Sequence, residues 1–226
     1  MVSMQQRYIQ LFTDWLRQQD ANPVCLMDRA KGGATLIELH QQFLHDESYI
    51  AGRKDILIVH AGIVDCAPRP VPLGVRRVIG RLPAPLKNKI VSLLHHNRAR
   101  LMEAGFRYHL TDRSVFGDVV ASWMNEAINL FERVYLFNIA PTNEAIERHS
   151  PGLTQSIDAY NLALSSCAGS FKTQDVNLID VGALFAESGH DLDTLIDPQD
   201  GHHLTALAHR ICADALIRLE QARRSA

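Results

Sequence analysis

The chain is short of several features, and each shortage removes a class of explanation. Its four cysteines, Cys25, Cys66, Cys167 and Cys212, are scattered, with no Cys-x-x-Cys pair. That argues against a zinc ribbon or a disulfide frame and for reduced, mostly buried thiols in a cytoplasmic protein. There is no basic surplus: the formal net charge is −2, whereas a general nucleic-acid or polyanion binder wants a basic surface. No apolar run approaches the ~20 residues needed to span a bilayer. The start, Met1 to Arg7, lacks the apolar stretch of a secretory signal. Internal repeats, low-complexity tracts and linkers are also missing.

What is present is ordinary globular composition, 46% hydrophobic and 21% charged over 226 residues. This is enough for one domain, residues 1–226, with a substantial core. Helical and strand-like patterns alternate. Tyr8, Ile9, Leu11, Phe12, Trp15 and Leu16 make a helical stripe over 4–18. Pro23 to Met27 reads as a short buried strand, and residues 35–46 return to helical spacing. Asp55 to His60 is the clearest strand, apolar on both faces as parallel strands covered by helices are. Residues 67–85 hold five prolines (Pro68, Pro70, Pro72, Pro83, Pro85) and read as a long surface excursion. Helices are predicted at about 86–104, 114–131, 153–167 and 203–222, with strands at Arg133–Ile139 and Val176–Asp180. This order implies right-handed βαβ crossovers and a parallel sheet between helical layers, with ligands at the carboxyl ends of the strands.

Three strand-following loops hold chemistry-bearing residues. In Asp200-Gly201-His202-His203 a carboxylate stands three residues before an imidazole. Such a carboxylate can orient one ring nitrogen and leave the other free to take a proton from a serine. The competing reading is a helix start, with Asp200 or Thr205 as its cap. In Gly32-Gly33-Ala34-Thr35 the glycines let a backbone amide approach an oxyanion, against a plain tight turn capped by Thr35. In Gly62-Ile63-Val64-Asp65-Cys66-Ala67-Pro68-Arg69 the aspartate can fix the loop by accepting amides. Arg69 can meet an anionic group or form a structural pair with Asp65. The remaining histidines read as structural: His95 and His96 point about 100° apart on a helix, and His40, His45, His109 and His149 have no ligand-like spacing. His190, Asp197, Asp200, His202, His203 and His209 are dense, yet no His-x-x-x-His pair organises them into a metal site.

Together, and in this order, the three loops resemble the SGNH/GDSL hydrolase family across nearly the whole chain. Gly33-Ala34-Thr35 resembles the second block, Gly62-Ile63-Val64-Asp65 the third, and Asp200-Gly201-His202-His203-Leu204 the fifth. The resemblance implies a three-layer α/β/α sandwich with a parallel, flavodoxin-like sheet, and an ester or acyl hydrolase that needs no cofactor. It further implies His203 as base and acid, Asp200 as its orienting carboxylate, and Gly33 and Gly62 in the oxyanion and substrate-binding region. The string from Gly62 to Arg69 is similar to a branch acting on polysaccharides or other acylated sugars, so a small-molecule or carbohydrate ester is the expected substrate.

Two departures from the pattern stand out. The family's third-block Asn falls at Val64, which has no side-chain donor, so that contact is missing or replaced by Asn143 or a backbone amide. The first block, a buried strand running into Gly-Asp-Ser, is not visible. Ser3 precedes a helix with no strand before it and reads as an N-cap. The expectation is therefore an N-terminally truncated domain lacking its first central strand and its nucleophile, and less stable than a form restoring that strand. The rival expectation is a catalytically inactive relative that binds a carbohydrate or a partner.

Overall fold

The computed structural model describes residues 2–20, 23–46, 54–171 and 176–225. After a 3-10 turn at Met4–Gln6 come α1 (Tyr8–Gln19), α2 (Leu36–His45), β1 (Lys54–His60) and α3 (Ile63–Cys66). Then follow α4 (Leu73–Gly80), α5 (Ala84–His96), α6 (Arg98–Glu103), α7 (Arg113–Leu130) and β2 (Phe131–Phe137). The chain ends with α8 (Glu144–His149), α9 (Leu153–Ser170), β3 (Val176–Ile179), α10 (Val181–Glu187), α11 (Leu192–Leu195) and α12 (Ala206–Arg224).

The strands form a parallel sheet in the order β1-β2-β3, with Ile58 of β1 opposite Tyr135 of β2. Two expectations fail. Residues 23–27 are not a strand: the described residues from 23 to 31 carry no regular structure. An apolar pentapeptide becomes a strand only when a neighbouring strand takes its amides and carbonyls; among the described residues no strand pairs with this one, and the Val24 carbonyl accepts from Arg17 Nε at 3.3 Å. The proline-rich excursion is also partly helical. Pro72 and Pro83 sit at the N-caps of α4 and α5, and Pro85 lies in the first turn of α5. At those positions the missing amide costs nothing and the fixed φ favours the helix, so the prolines punctuate helix starts.

Contacts divide the chain into two compact units. One comprises Gly33–Ala140 with Glu144–Leu178. Its core packs Leu57 and Val59 of β1, Val134 and Leu136 of β2 and Val176 of β3 against Val120, Met124 and Ala127 of α7 and Ile157 and Leu164 of α9. Every residue of β2 except Glu132 is buried, as suits a parallel strand covered on both faces. His40 is structural: Nε2 lies 2.9 Å from Glu126 and the ring stacks on Trp123.

The other unit comprises Met1–Gly32, Pro141–Asn143 and Ile179–Ala226. Here α1 lies against α12, with Phe12, Leu16, Ala208, Cys212 and Leu216 buried. Arg224 makes a two-pronged bridge to Asp20 at 2.7 and 3.1 Å and covers the Trp15 ring. The Tyr8 amide donates to Nδ1 of His209 at 3.3 Å, and the two rings stack. Burial, with Arg7 adding to it, holds His209 down at about 4. The unfolded chain, with an ordinary histidine near 6.5, therefore binds a proton that the folded chain refuses. Stability is full above about pH 6.5 and falls as pH drops toward 4, by up to roughly 3 kcal/mol. Thermal midpoints measured from pH 7 to 4 should decline steeply in the wild type and more gently in His209→Gln.

Candidate active site

The last loop is built to present an imidazole. Gly201, at φ +73°, turns the chain, and its amide donates to the Asp197 carbonyl at 2.8 Å. The Asp197 amide in turn donates to the His203 carbonyl at 2.7 Å, and the Asn143 amide braces the turn through the Gly201 carbonyl at 3.2 Å. Thr205 caps α12, its hydroxyl accepting the Ala208 amide. The helix start is thus satisfied without Asp200, which is left for another task.

Asp200 spends its carboxylate on the histidines. Oδ1 accepts the amides of His202 and His203 at 3.0 and 2.9 Å, and Oδ2 lies 2.7 Å from Nδ1 of His203. Partial burial raises its pKa, but the amides of His203 and His202, followed by the His203 ring, outweigh that and hold it at about 2. The carboxylate is therefore ionised throughout the working pH range. It fixes the His203 tautomer with the proton on Nδ1 and leaves Nε2 as the basic atom. The His203 side chain is 69% exposed, and among the described residues nothing is hydrogen-bonded to Nε2. Asp200, His202 and His203 also offer donor atoms within 4.8 Å of one another, close enough to share a metal ion. These three belong to the dense His and Asp group of the C-terminal segment, which has no His-x-x-x-His pair to mark them. Both Nδ1 atoms are already turned inward, that of His203 to Asp200 Oδ2 and that of His202 to the Asp200 carbonyl.

Gly33 and Gly62, the other two predicted site residues, share the unit built on the sheet. Gly33 adopts φ +75° with open space where a Cβ would stand. Thr35, next along, closes a capping box with Glu38 at the start of α2, so the turn-and-cap reading of Thr35 is correct while Gly33 stays uncommitted. Gly62 follows β1 at φ +121°, and its carbonyl accepts the Asp65 and Cys66 amides at 3.0 and 2.9 Å. Among the described residues neither glycine amide has a hydrogen-bond partner.

Asp65 ties the two blocks together. Buried completely, it accepts the Leu36 amide at 3.0 Å, in the first turn of α2, and the Thr111 hydroxyl. The Tyr160 hydroxyl holds the Thr111 carbonyl in turn. Burial pushes the Asp65 carboxyl up, and the bonds from Thr111 and Leu36 offset this only in part. Of the two readings open for Arg69, the structural pair with Asp65 does not form: Arg69 donates from Nη2 to the Val64 carbonyl at 3.5 Å, and its buried Nε has no partner among the described residues. Cys66, pushed up to about 12 by burial, is an inert thiol. Ser3 precedes the 3-10 turn, but its hydroxyl donates to the Gln6 side chain instead of capping the backbone.

Gly62 tolerates no side chain. A Cβ there would lie 2.8 Å from Ile139 Cδ1 and 3.2 Å from Phe116 Cζ, in a backbone region that suits glycine. Gly62→Ala should cost roughly 3 kcal/mol, combining overpacking with left-handed strain. Urea unfolding reads this, and Gly33→Ala, strained but unobstructed, should lose about 1 kcal/mol.

No family model and no curated protein matches the chain. Solved structures do. An acetyl xylan esterase from Geobacillus stearothermophilus superposes with a TM-score of 0.61 at 16% identity, over 94% of this chain and 80% of that one. A lipase/acylhydrolase from Enterococcus faecalis gives 0.62 at 10% identity, over 96% and 85%. A member of the lipolytic G-D-S-L family from Veillonella parvula gives 0.57 at 12% identity, over 96% and 88%. The fold is that of the SGNH/GDSL hydrolases.

Proposed function

We propose that the chain carries the acid–base half of a serine-type ester hydrolase. The observation that supports this reading is the 2.7 Å contact between Asp200 Oδ2 and His203 Nδ1, with Nε2 left open. In the proposed reaction a serine hydroxyl attacks the acyl carbon while His203 Nε2 takes its proton. The imidazolium, stabilised by ionised Asp200, then gives that proton to the departing alkoxide. Water repeats the sequence on the acyl-enzyme, releasing the acid and restoring the serine. The uncommitted amides of Gly33 and Gly62 are the proposed oxyanion donors, a role that Val64 has no side-chain donor to share.

Among the described residues no serine is hydrogen-bonded to His203, so the nucleophile is proposed to come from outside them. An O-acylated sugar or similar small ester is the proposed substrate. The string from Gly62 to Arg69 supports it, and one superposing structure is an acetyl xylan esterase.

The rival reading is a non-catalytic relative that binds a carbohydrate or a protein partner. Val64 and the open Nε2 favour it. Hydrolysis of p-nitrophenyl acetate discriminates, using protein expressed from the natural gene with any codons in frame before Met1. Turnover that depends on His203 supports the enzyme; no turnover, or turnover that His203→Ala leaves intact, overturns it.

A further inference from the structure

The helical pair following the Gly62 loop turns its apolar residues the wrong way for a core. Neither α4 nor α5 has a buried residue, although a surface helix normally directs its apolar stripe inward. On α5, Leu86, Ile90, Leu93 and Leu94 recur at helical spacing, with Leu86 49% and Leu93 63% exposed. On α4, Val75, Val78 and Ile79 repeat the pattern, and Val78 is 60% exposed.

Charge on this segment is one-sided. From Cys66 to Met102 there is no Asp or Glu, yet eight of the chain's 23 Lys and Arg fall there, although the whole chain carries a net charge of −2. At about 100° per residue, Lys87 and Lys89 flank the α5 stripe on opposite sides. Arg77, Arg81, Lys87 and Lys89 are exposed and form no ion pair among the described residues, so their charge is uncompensated. Half-buried Arg98 is held by the Ser150 hydroxyl and the Pro68 carbonyl.

We propose that α4 and α5 dock the protein on a bilayer surface bearing anionic phospholipid headgroups. The leucine and valine side chains enter the boundary between headgroups and acyl chains. The Lys and Arg stems run alongside and keep their charges at phosphate level. A second copy is a poorer occupant, because a two-fold contact through this face sets like charges against each other. Nucleic acid would satisfy the charge but not the aliphatic stripe, since neither helix has a Phe, Tyr or Trp for bases to stack on. The inference is independent of the ester-hydrolase reading.

Co-flotation with vesicles tests it. The protein should rise with vesicles of phosphatidylglycerol mixed with phosphatidylcholine, much less with phosphatidylcholine alone, and progressively less as salt is added. Lys87→Gln with Lys89→Gln should weaken binding roughly thirtyfold. Leu86→Ser with Leu93→Ser should weaken it at least about tenfold without changing the thermal midpoint, since both side chains are exposed. Failure to float with phosphatidylglycerol vesicles overturns the proposal, as does equal flotation of the wild type and both variants. Capture on dextran sulfate with none on vesicles would assign the face to an anionic polysaccharide instead. Dimerisation that the same variants abolish, again without vesicle binding, would assign it to a second copy.

Discussion

His203→Ala is expected to lower kcat/KM for p-nitrophenyl acetate by at least about a thousandfold. The thermal midpoint should barely move, because the ring is largely exposed and its contacts are Asp200 Oδ2 and the neighbouring His202 ring. Asp200→Asn should lose activity on the same order for a different reason. Its amide oxygen can still accept the His202 and His203 amides, so the loop holds. Its NH2 group, however, faces His203 Nδ1 and turns that nitrogen into an acceptor, which moves the ring proton to Nε2. A base protonated at its working atom cannot take a proton from serine. Asp200→Ala removes the acceptor for both backbone amides as well, so it should lose activity and destabilise the loop. Stability intact in the Asn variant but lowered in the Ala variant separates orientation of the ring from construction of the loop.

Asp65→Ala should cost about 3 kcal/mol of stability. It strands two buried donors, the Leu36 amide and the Thr111 hydroxyl, at a point where the starts of two segments meet. Asp65→Asn should cost much less. Its carbonyl oxygen can still accept one donor, and it removes a carboxylate that burial already penalises, as the upward shift of its pKa indicates. Urea unfolding of the three proteins is the measurement. An alanine variant within about 0.5 kcal/mol of wild type would mean that Asp65 braces nothing. An asparagine variant as weak as the alanine one would mean that the charge itself is essential.

How much of this was legible beforehand depended on the range over which each signal acts. Asp200 and His203 stand three residues apart, and the loop that joins them is closed by local bonds, so the pair could be read from sequence. The strands β1 and β3 were equally plain, since their apolar runs are bounded by polar segments; β2 was found with its start two residues late, at Arg133 instead of Phe131. Asp65 was recognised as an amide acceptor, but not its partners: Leu36 and Thr111 lie 29 and 46 residues away, and the chain carries no local mark of either bond. Of the two readings open for Arg69, the pair with Asp65 fails because the Asp65 oxygens accept from the Leu36 amide and the Thr111 hydroxyl instead. Residues 23–27 failed because a strand is a property of two segments. α4 escapes the sequence reading because prolines read as breakers at positions where they act as helix starts. The His209–Tyr8 contact, 201 residues apart in sequence, had no signal at all.

The most direct test of the central claim is covalent. A fluorophosphonate phosphonylates a serine activated by a neighbouring base, the serine oxygen displacing fluoride from phosphorus, and intact-mass and peptide mass spectrometry locate the adduct. With protein expressed from the natural gene, including any in-frame codons before Met1, a single serine adduct should form, and its rate should fall at least about a thousandfold in His203→Ala. No adduct in the wild type, or equal labelling of wild type and His203→Ala, would contradict the assignment of Asp200 and His203 as the acid–base pair of a serine hydrolase.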